Sequence, residues 1–148
     1  MNAVVLDAKL KLPKVDEAVL AQLVSKATFD DVAATIIPQE LIAVIRGLHE
    51  QTYMAGLYAT LGVSEHTDDS APCDITLGVV LSGDHVLCGE GGVPLGHLVD
   101  GSVFILKNKL PHAAYPSDRD TEKPLVFIAC DLDVDDFDVV CAEIHKKL

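Results

Sequence analysis

The fold of this chain is decided by residues 74–116, which read DITLGVVLSGDHVLCGEGGVPLGHLVDGSVFILKNKLPHAAYP. Short apolar runs alternate here with Gly, Asp, Asn and Pro, and each run is too short for a helix of ordinary length. Turn signals of this kind separate antiparallel strands. Closely spaced strands joined by such turns predict a β-sandwich or a β-barrel.

The same texture continues on both sides of this stretch, from Thr52 to Leu132. Residues 2–12 alternate in part and end at Pro13, which predicts an edge strand. The remaining predicted strands cover 52–62, 74–82, 85–89, 93–99, 102–107, 112–116 and 124–132.

Helical spacing flanks the β region on both sides. Apolar residues recur every three or four positions from 16 to 26 and again after Pro38, so we predict N-terminal helices within about 15–48. A third apolar stripe predicts a C-terminal helix over about 135–147, with Asp135 and Asp136 in its first turn. We expect one domain over residues 1–148, in which the N-terminal helices brace the sheet.

Charge and cysteine content narrow the classes of function. The formal net charge is −12, from 23 acidic and 11 basic residues, which disfavours nucleic acid as a partner. No apolar run approaches the length of a membrane span. The four cysteines lack metal-binding or secreted-scaffold spacing. We therefore expect a cytoplasmic protein with no membrane partner, and the apolar C-terminal stripe leaves a homodimer open.

A candidate metal site begins with His66 and Asp68, two residues apart at the predicted end of a strand. Period-two geometry points both side chains to the same side. On its own, such a pair also fits two surface turn residues. Farther along the chain, His112 follows Pro111 at the start of another predicted strand. A second imidazole there completes a two-His-one-carboxylate face, which leaves open positions on a metal.

Residues 52–132 resemble the 2-oxoglutarate and iron(II)-dependent dioxygenases, in particular their compact prolyl-hydroxylase-like branch. The resemblance implies a double-stranded β-helix, a jelly-roll or cupin-like barrel, with Fe(II), 2-oxoglutarate and O2 at one end. It also implies hydroxylation of a C–H bond with release of succinate and CO2. The matching segments, in chain order, are 53–58, His66-Thr-Asp68, 74–82, Gly91-Gly92 and Gly101…Pro111-His112.

Several site residues of that family have candidate counterparts here. The resemblance implies that His66, Asp68 and His112 bind the iron, and that Lys123 or Arg119 pairs with the distal carboxylate of 2-oxoglutarate. Tyr58 and Tyr53 lie on the strand where the family often places a hydroxyl near that carboxylate; half-buried strand aromatics explain both equally well. The sequence departs from the family in lacking Arg-x-Ser on its last strand and in its short length.

Two other functions remain open from the sequence. The first is a cupin-type metal enzyme, an isomerase or an oxygenase without 2-oxoglutarate, in which His97 adds an imidazole; otherwise His97 is a core histidine. The second is a non-catalytic barrel that binds a basic partner through its acidic surface. His49, His85 and His145 fit a metal site less well, since they fall in a helix, a turn and the charged C-terminal end. The substrate of an enzyme would be a small molecule or a peptidyl side chain.

Overall fold

A computed structural model describes residues 2–8, 10–120 and 123–148 of the chain. Within these ranges it contains ten strands and three helices, and a short 3-10 turn at Glu90–Gly92. In chain order the elements are β1 (Ala3–Leu6), α1 (Glu17–Ser25), β2 (Ala33–Thr35), α2 (Gln39–Leu48), β3 (Thr52–Thr60), β4 (Val63–His66), β5 (Ile75–Ser82), β6 (Asp84–Gly89), β7 (Pro94–Val99), β8 (Val103–Lys107), β9 (His112–Pro116), β10 (Leu125–Leu132) and α3 (Phe137–His145).

The strands form two antiparallel sheets. The large sheet has the order β1-β8-β5-β10-β3-β2, and the small sheet has the order β4-β9-β6-β7. From β3 onward the chain passes repeatedly between the sheets, so that β3, β5, β8 and β10 lie in one and β4, β6, β7 and β9 in the other. This strand order is that of a jelly roll with two Greek keys. The predicted mainly β, double-stranded β-helix fold is confirmed.

The main hydrophobic core lies outside the barrel, between the helices and the large sheet. Leu41 and Ile45 of α2 pack there against Leu57 of β3 and Ile128 of β10, all fully buried. Side chains alternate along each strand, so the residues between these positions face the small sheet instead. The helices therefore cover one face of the large sheet, and the other face is left to line the barrel.

The helix boundaries follow from their caps. The Asp16 side chain accepts hydrogen bonds from the first turn of α1, and the Asp136 side chain accepts one from Val139 of α3. Helix α2 begins directly after Pro38, as predicted. No helix in the described ranges is long and apolar enough to cross a membrane.

Several predicted boundaries were wrong. The strand predicted over 52–62 ends at Thr60, because Gly62 has a φ of +141° and turns the chain into β4 of the other sheet. Strands β2 and β4 are three and four residues long, too short to show a periodic pattern, and they were not predicted. Of the strand predicted over 2–12, the described residues form only Ala3–Leu6, and Lys9 lies outside the described residues.

Candidate metal centre

His66, Asp68 and His112 come together at one end of the barrel. His66 ends β4 and His112 begins β9, and the two are direct Cα partners in the small sheet. Asp68 lies in the turn that follows β4. Its Oδ1 is 3.2 Å from His66 Nε2, and its Oδ2 is 3.2 Å from His112 Nε2. The candidate donor atoms of all three residues lie within 4.8 Å of one another.

Backbone carbonyls fix the orientation of both imidazoles. His66 Nδ1–H donates to the Ser64 carbonyl at 2.8 Å, and His112 Nδ1–H donates to the Leu110 carbonyl, also at 2.8 Å. A neutral imidazole carries one N–H, so this hydrogen bond leaves the Nε2 lone pair available. In each ring that lone pair points toward Asp68. Metal-binding histidines are held in this way by a hydrogen bond from the other nitrogen.

The donor set fits a divalent transition metal. Two Nε2 lone pairs facing two carboxylate oxygens repel one another unless a proton or a cation lies between them. Metal–ligand bonds of about 2.1 Å at right angles put neighbouring donor atoms about 3 Å apart. The 3.2 Å separations of Asp68 from His66 and His112 match that spacing. Two imidazoles and one carboxylate form the ligand face typical of mononuclear non-haem Fe(II).

The electrostatics of the centre favour a positive charge. Burial raises the pKa of Asp68, but hydrogen bonds and charges from His112 and His66 outweigh it and hold the pKa below its ordinary value. Burial lowers the pKa of His112, and the hydrogen bonds to Asp68 and Leu110 outweigh it and hold the pKa above its ordinary value. Asp68 is therefore ionised, and the site stabilises a cation beside it.

The connection between β8 and β9 holds the turn that carries Asp68. Lys109 Nζ donates to the carbonyls of Asp68 at 2.8 Å and of Ala71 at 2.6 Å. The Asp68 N–H donates to the Asn108 carbonyl at 2.8 Å, and the buried Asn108 side chain donates to the Cys73 carbonyl and to Thr76. The sequence analysis missed both residues. In the sequence, Asn108 and Lys109 stand out only as two polar residues shortly before Pro111-His112.

A cavity of about 380 Å³ lies between the two sheets and reaches the three candidate ligands. Its walls are mostly aliphatic and aromatic. Asp131 of β10 also lines it, and burial raises the pKa of that carboxyl, although the Cys73 backbone and Lys109 partly offset this rise. Among the described residues, no Lys or Arg lines the cavity. The sequence analysis missed Asp131 because it lies within an acidic run.

Of the other predicted site residues, only Tyr58 lines the cavity. There, burial and then the charge of Asp131 raise the pKa of the Tyr58 hydroxyl. Tyr53 is 52% exposed and lies outside the cavity lining. Lys123 Nζ is 3.7 Å from Asp100 Oδ1, also outside the lining, and Arg119 lies in the exposed turn after β9. A role for Lys123 or Arg119 in binding 2-oxoglutarate stays a prediction.

Two histidines lie elsewhere than predicted. His97 is neither a core residue nor an additional ligand: its side chain is 57% exposed on the outer face of the small sheet. Its Nε2 is 2.6 Å from Asp84 Oδ1 and 3.0 Å from Ser117 Oγ. His85 was predicted in a turn, but it lies on β6 and is fully buried. Strand alternation explains both positions, because His85 and Leu98 share the inner face while His97 falls on the outer one.

The sequence matches no protein-family model and no curated protein. Solved structures of cupins are similar in fold. A cupin superfamily protein from Desulfitobacterium hafniense is 20% identical, with 84% of this chain and 98% of that chain covered and a TM-score of 0.47. An RmlC-like cupin from Desulfovibrio desulfuricans is 12% identical, with coverages of 68% and 80% and a TM-score of 0.44. A cupin domain from Bordetella pertussis is 11% identical, with coverages of 74% and 98% and a TM-score of 0.43.

Proposed function

We propose that this chain is a cupin-type mononuclear metal enzyme that oxidises a small organic molecule without 2-oxoglutarate. In this proposal His66, Asp68 and His112 bind Fe(II) at the end of the barrel cavity. The observation that carries it is the pair of imidazoles, each fixed through Nδ1 by a backbone carbonyl and each with its Nε2 3.2 Å from an oxygen of Asp68. A cation bound between the three side chains would explain this arrangement, because it would remove the repulsion between the Nε2 lone pairs and the carboxylate.

The protein's part in this reaction is positioning and exclusion of water. When bound, iron supplies the dioxygen chemistry, and three protein ligands leave further positions on it for substrate and O2. The carbonyls of Ser64 and Leu110 keep both imidazoles in the binding tautomer, and Lys109 holds the turn of Asp68. The apolar walls of the cavity keep water from the substrate.

The charge of the cavity supports an oxidation that does not use 2-oxoglutarate. That co-substrate carries two carboxylates, and its distal carboxylate needs a cation or several hydrogen-bond donors when it is buried. No Lys or Arg lines the cavity in the described part of the chain, whereas Asp131 does. A second carboxylate beside Asp131 would be repelled. The cavity suits a neutral or cationic molecule better.

A second candidate is the 2-oxoglutarate-dependent dioxygenase, which would hydroxylate a C–H bond and release succinate and CO2. The order of His66, Asp68 and His112 along the chain favours it, since it is the order of that family. In this reading Lys123 or Arg119 would bind the distal carboxylate. For Lys123 to do so, its side chain would have to move away from Asp100, whose Oδ1 is 3.7 Å from the Lys123 Nζ.

Anaerobic spectroscopy separates the two candidates. Fe(II) is added to the purified protein without oxygen, followed by 2-oxoglutarate, and the visible absorption of chelated iron is recorded. We expect iron to bind and 2-oxoglutarate to produce no band. A band in the wild type that weakens in Lys123→Met, and not in the control Lys14→Met, would establish the dioxygenase instead. Failure to bind any divalent metal would point to a non-catalytic interaction module.

A further inference from the structure

Two glycines on the inner face of the large sheet make room for aromatic rings. A Cβ added at Gly78 would overlap the ring of Phe104. A Cβ added at Gly56 would lie 2.5 Å from the Tyr58 hydroxyl oxygen and 2.6 Å from its Cζ. Each ring therefore lies across the backbone of the sheet at a glycine, where a larger residue would push it away. Because the rings lie against the sheet, the space between the two sheets stays open.

The aromatic rings form a continuous wall of the cavity. Tyr58 and Phe127 are stacked, with centroids 5.4 Å apart and an interplanar angle of 29°. Phe104 meets Phe127 edge-on, with centroids 5.9 Å apart. The facing wall, on the small sheet, includes Leu87 and Leu98. A dry apolar cavity of about 150 Å³ is enough for benzene, so about 380 Å³ accommodates one substituted ring.

Among the described residues, Asp68 and Asp131 are the carboxylates that line this cavity, and Asp131 is the one outside the metal centre. It lies on β10 two residues beyond Ala129, and both line the cavity. Lys109 is near enough for its charge to lower the pKa of Asp131, but its ammonium donates to the carbonyls of Asp68 and Ala71. In the described residues, no basic side chain of the lining pairs with Asp131. A carboxylate and several aromatic faces together attract an organic cation.

We propose that the cavity binds a small cationic aromatic molecule, whose ring lies against Tyr58, Phe104 and Phe127 and whose ammonium group pairs with Asp131. The proposal rests on the proposed function only in taking this cavity as the substrate site. It names the class of substrate: one ring, a positive charge and no carboxylate. Aromatic stacking selects the ring, and the carboxylate selects the charge.

Calorimetry with four matched probes tests both parts of the proposal. The probes are benzylammonium, benzyl alcohol, benzoate and cyclohexylmethylammonium, each titrated at neutral pH into metal-free protein. Without a metal, benzoate has no open coordination position to occupy. Asp68 is the same in the wild type and in the Asp131 variant, so a comparison of the two isolates the effect of Asp131. We expect benzylammonium to bind about tenfold more tightly than benzyl alcohol and about fivefold more tightly than cyclohexylmethylammonium. Benzoate should bind most weakly.

Two variants assign the charge preference to its residue. Asp131→Asn keeps the shape of the side chain, so the protein should fold, and it should abolish the preference for benzylammonium over benzyl alcohol. Binding of benzyl alcohol should change by no more than about twofold, because the alcohol carries no charge to pair with Asp131. Asp133→Asn, at an exposed position two residues farther along, is the matched control and should keep the preference.

Several results would overturn the proposal. These are benzoate binding as tightly as benzylammonium, equal binding of the aromatic and saturated amines, a preference that survives in Asp131→Asn, or no binding of any probe. A separate zinc titration distinguishes this proposal from the proposed function. If zinc does not bind, the proposed function fails, and the probe titrations, which use metal-free protein, still decide the present proposal.

Discussion

His66 and His112 are direct partners across the antiparallel strands β4 and β9, and their ring centroids lie 4.4 Å apart. The register of the small sheet therefore sets the distance between the two imidazoles. A slip of one residue would turn one ring to the outside of the barrel. Asp68 lies outside the strands, and its position depends on the hydrogen bonds of its turn.

Lys109→Met is expected to weaken metal binding about tenfold, because the turn of Asp68 loses the ammonium that binds its carbonyls. Lys109 is a positioning residue and does not touch the metal itself. The measurement is a metal titration, accompanied by circular dichroism to verify the fold. The control is Lys14→Met, which removes only an ion pair between side chains that are 87% and 88% exposed. An unchanged affinity in Lys109→Met would contradict this role.

Gly78→Ala is expected to lower the free energy of unfolding by about 1–3 kcal/mol, because the new methyl group overlaps the Phe104 ring. The loss should disappear when Phe104→Leu is already present, since the ring is what the methyl meets. Denaturant unfolding of the two single variants and the double variant measures the coupling. Gly47→Ala is the control: no atom lies within 4 Å of its added Cβ, so helix α2 should gain about 0.5–1 kcal/mol. Additive losses would show that Phe104 is not the residue displaced.

His85→Leu is expected to raise the free energy of unfolding by about 1–2 kcal/mol at neutral pH. The His85 side chain is 0% exposed, and among the described residues neither ring nitrogen makes a hydrogen bond of ordinary geometry. An apolar side chain of similar size avoids burying two polar atoms. Thermal unfolding of the variant and the wild type gives the difference. A clear loss of stability would indicate a polar partner for His85.

The same variant should change how stability depends on pH. Burial lowers the pKa of His85, an effect that the charge of Lys123 adds to and that the Leu61 backbone and Asp84 oppose. The unfolded chain takes up a proton near pH 6.5 at this residue while the folded chain resists it, so the wild type loses stability as the pH falls below that value. Comparing unfolding at pH 7.5 and pH 5.5, we expect a smaller loss in His85→Leu, by roughly 1 kcal/mol.

Most of the strands and the three candidate ligands could be predicted because their signals are local. A turn residue marks the ends of most of the predicted strands, and His66-Thr-Asp68 and Pro111-His112 follow strands closely in the sequence. Fold class followed from these spacings. The structure brings the same three residues together, at distances that the sequence could not supply.

Other features depend on contacts between distant segments. Whether His85 or His97 faces the inside of the barrel depends on which alternate residues of β6 and β7 point inward. The glycines at Gly83 and within Gly89–Gly92 interrupt the alternation of apolar and polar residues that would have indicated this. Asp131 resembles its acidic neighbours in the sequence, but strand β10 turns its side chain into the cavity. Lys109 acts on carbonyls about forty residues earlier in the chain. None of these relationships has a local signature.

Metal binding by wild type and Asp68→Asn tests the central claim most directly. Fe(II) is titrated under anaerobic conditions and its stoichiometry and affinity are measured, with Asp69→Asn, the exposed neighbour, as the control. The account predicts one ion per chain in the wild type and in Asp69→Asn, and binding at least about a hundredfold weaker in Asp68→Asn. Equal binding in Asp68→Asn and the wild type would contradict a metal centre formed by His66, Asp68 and His112.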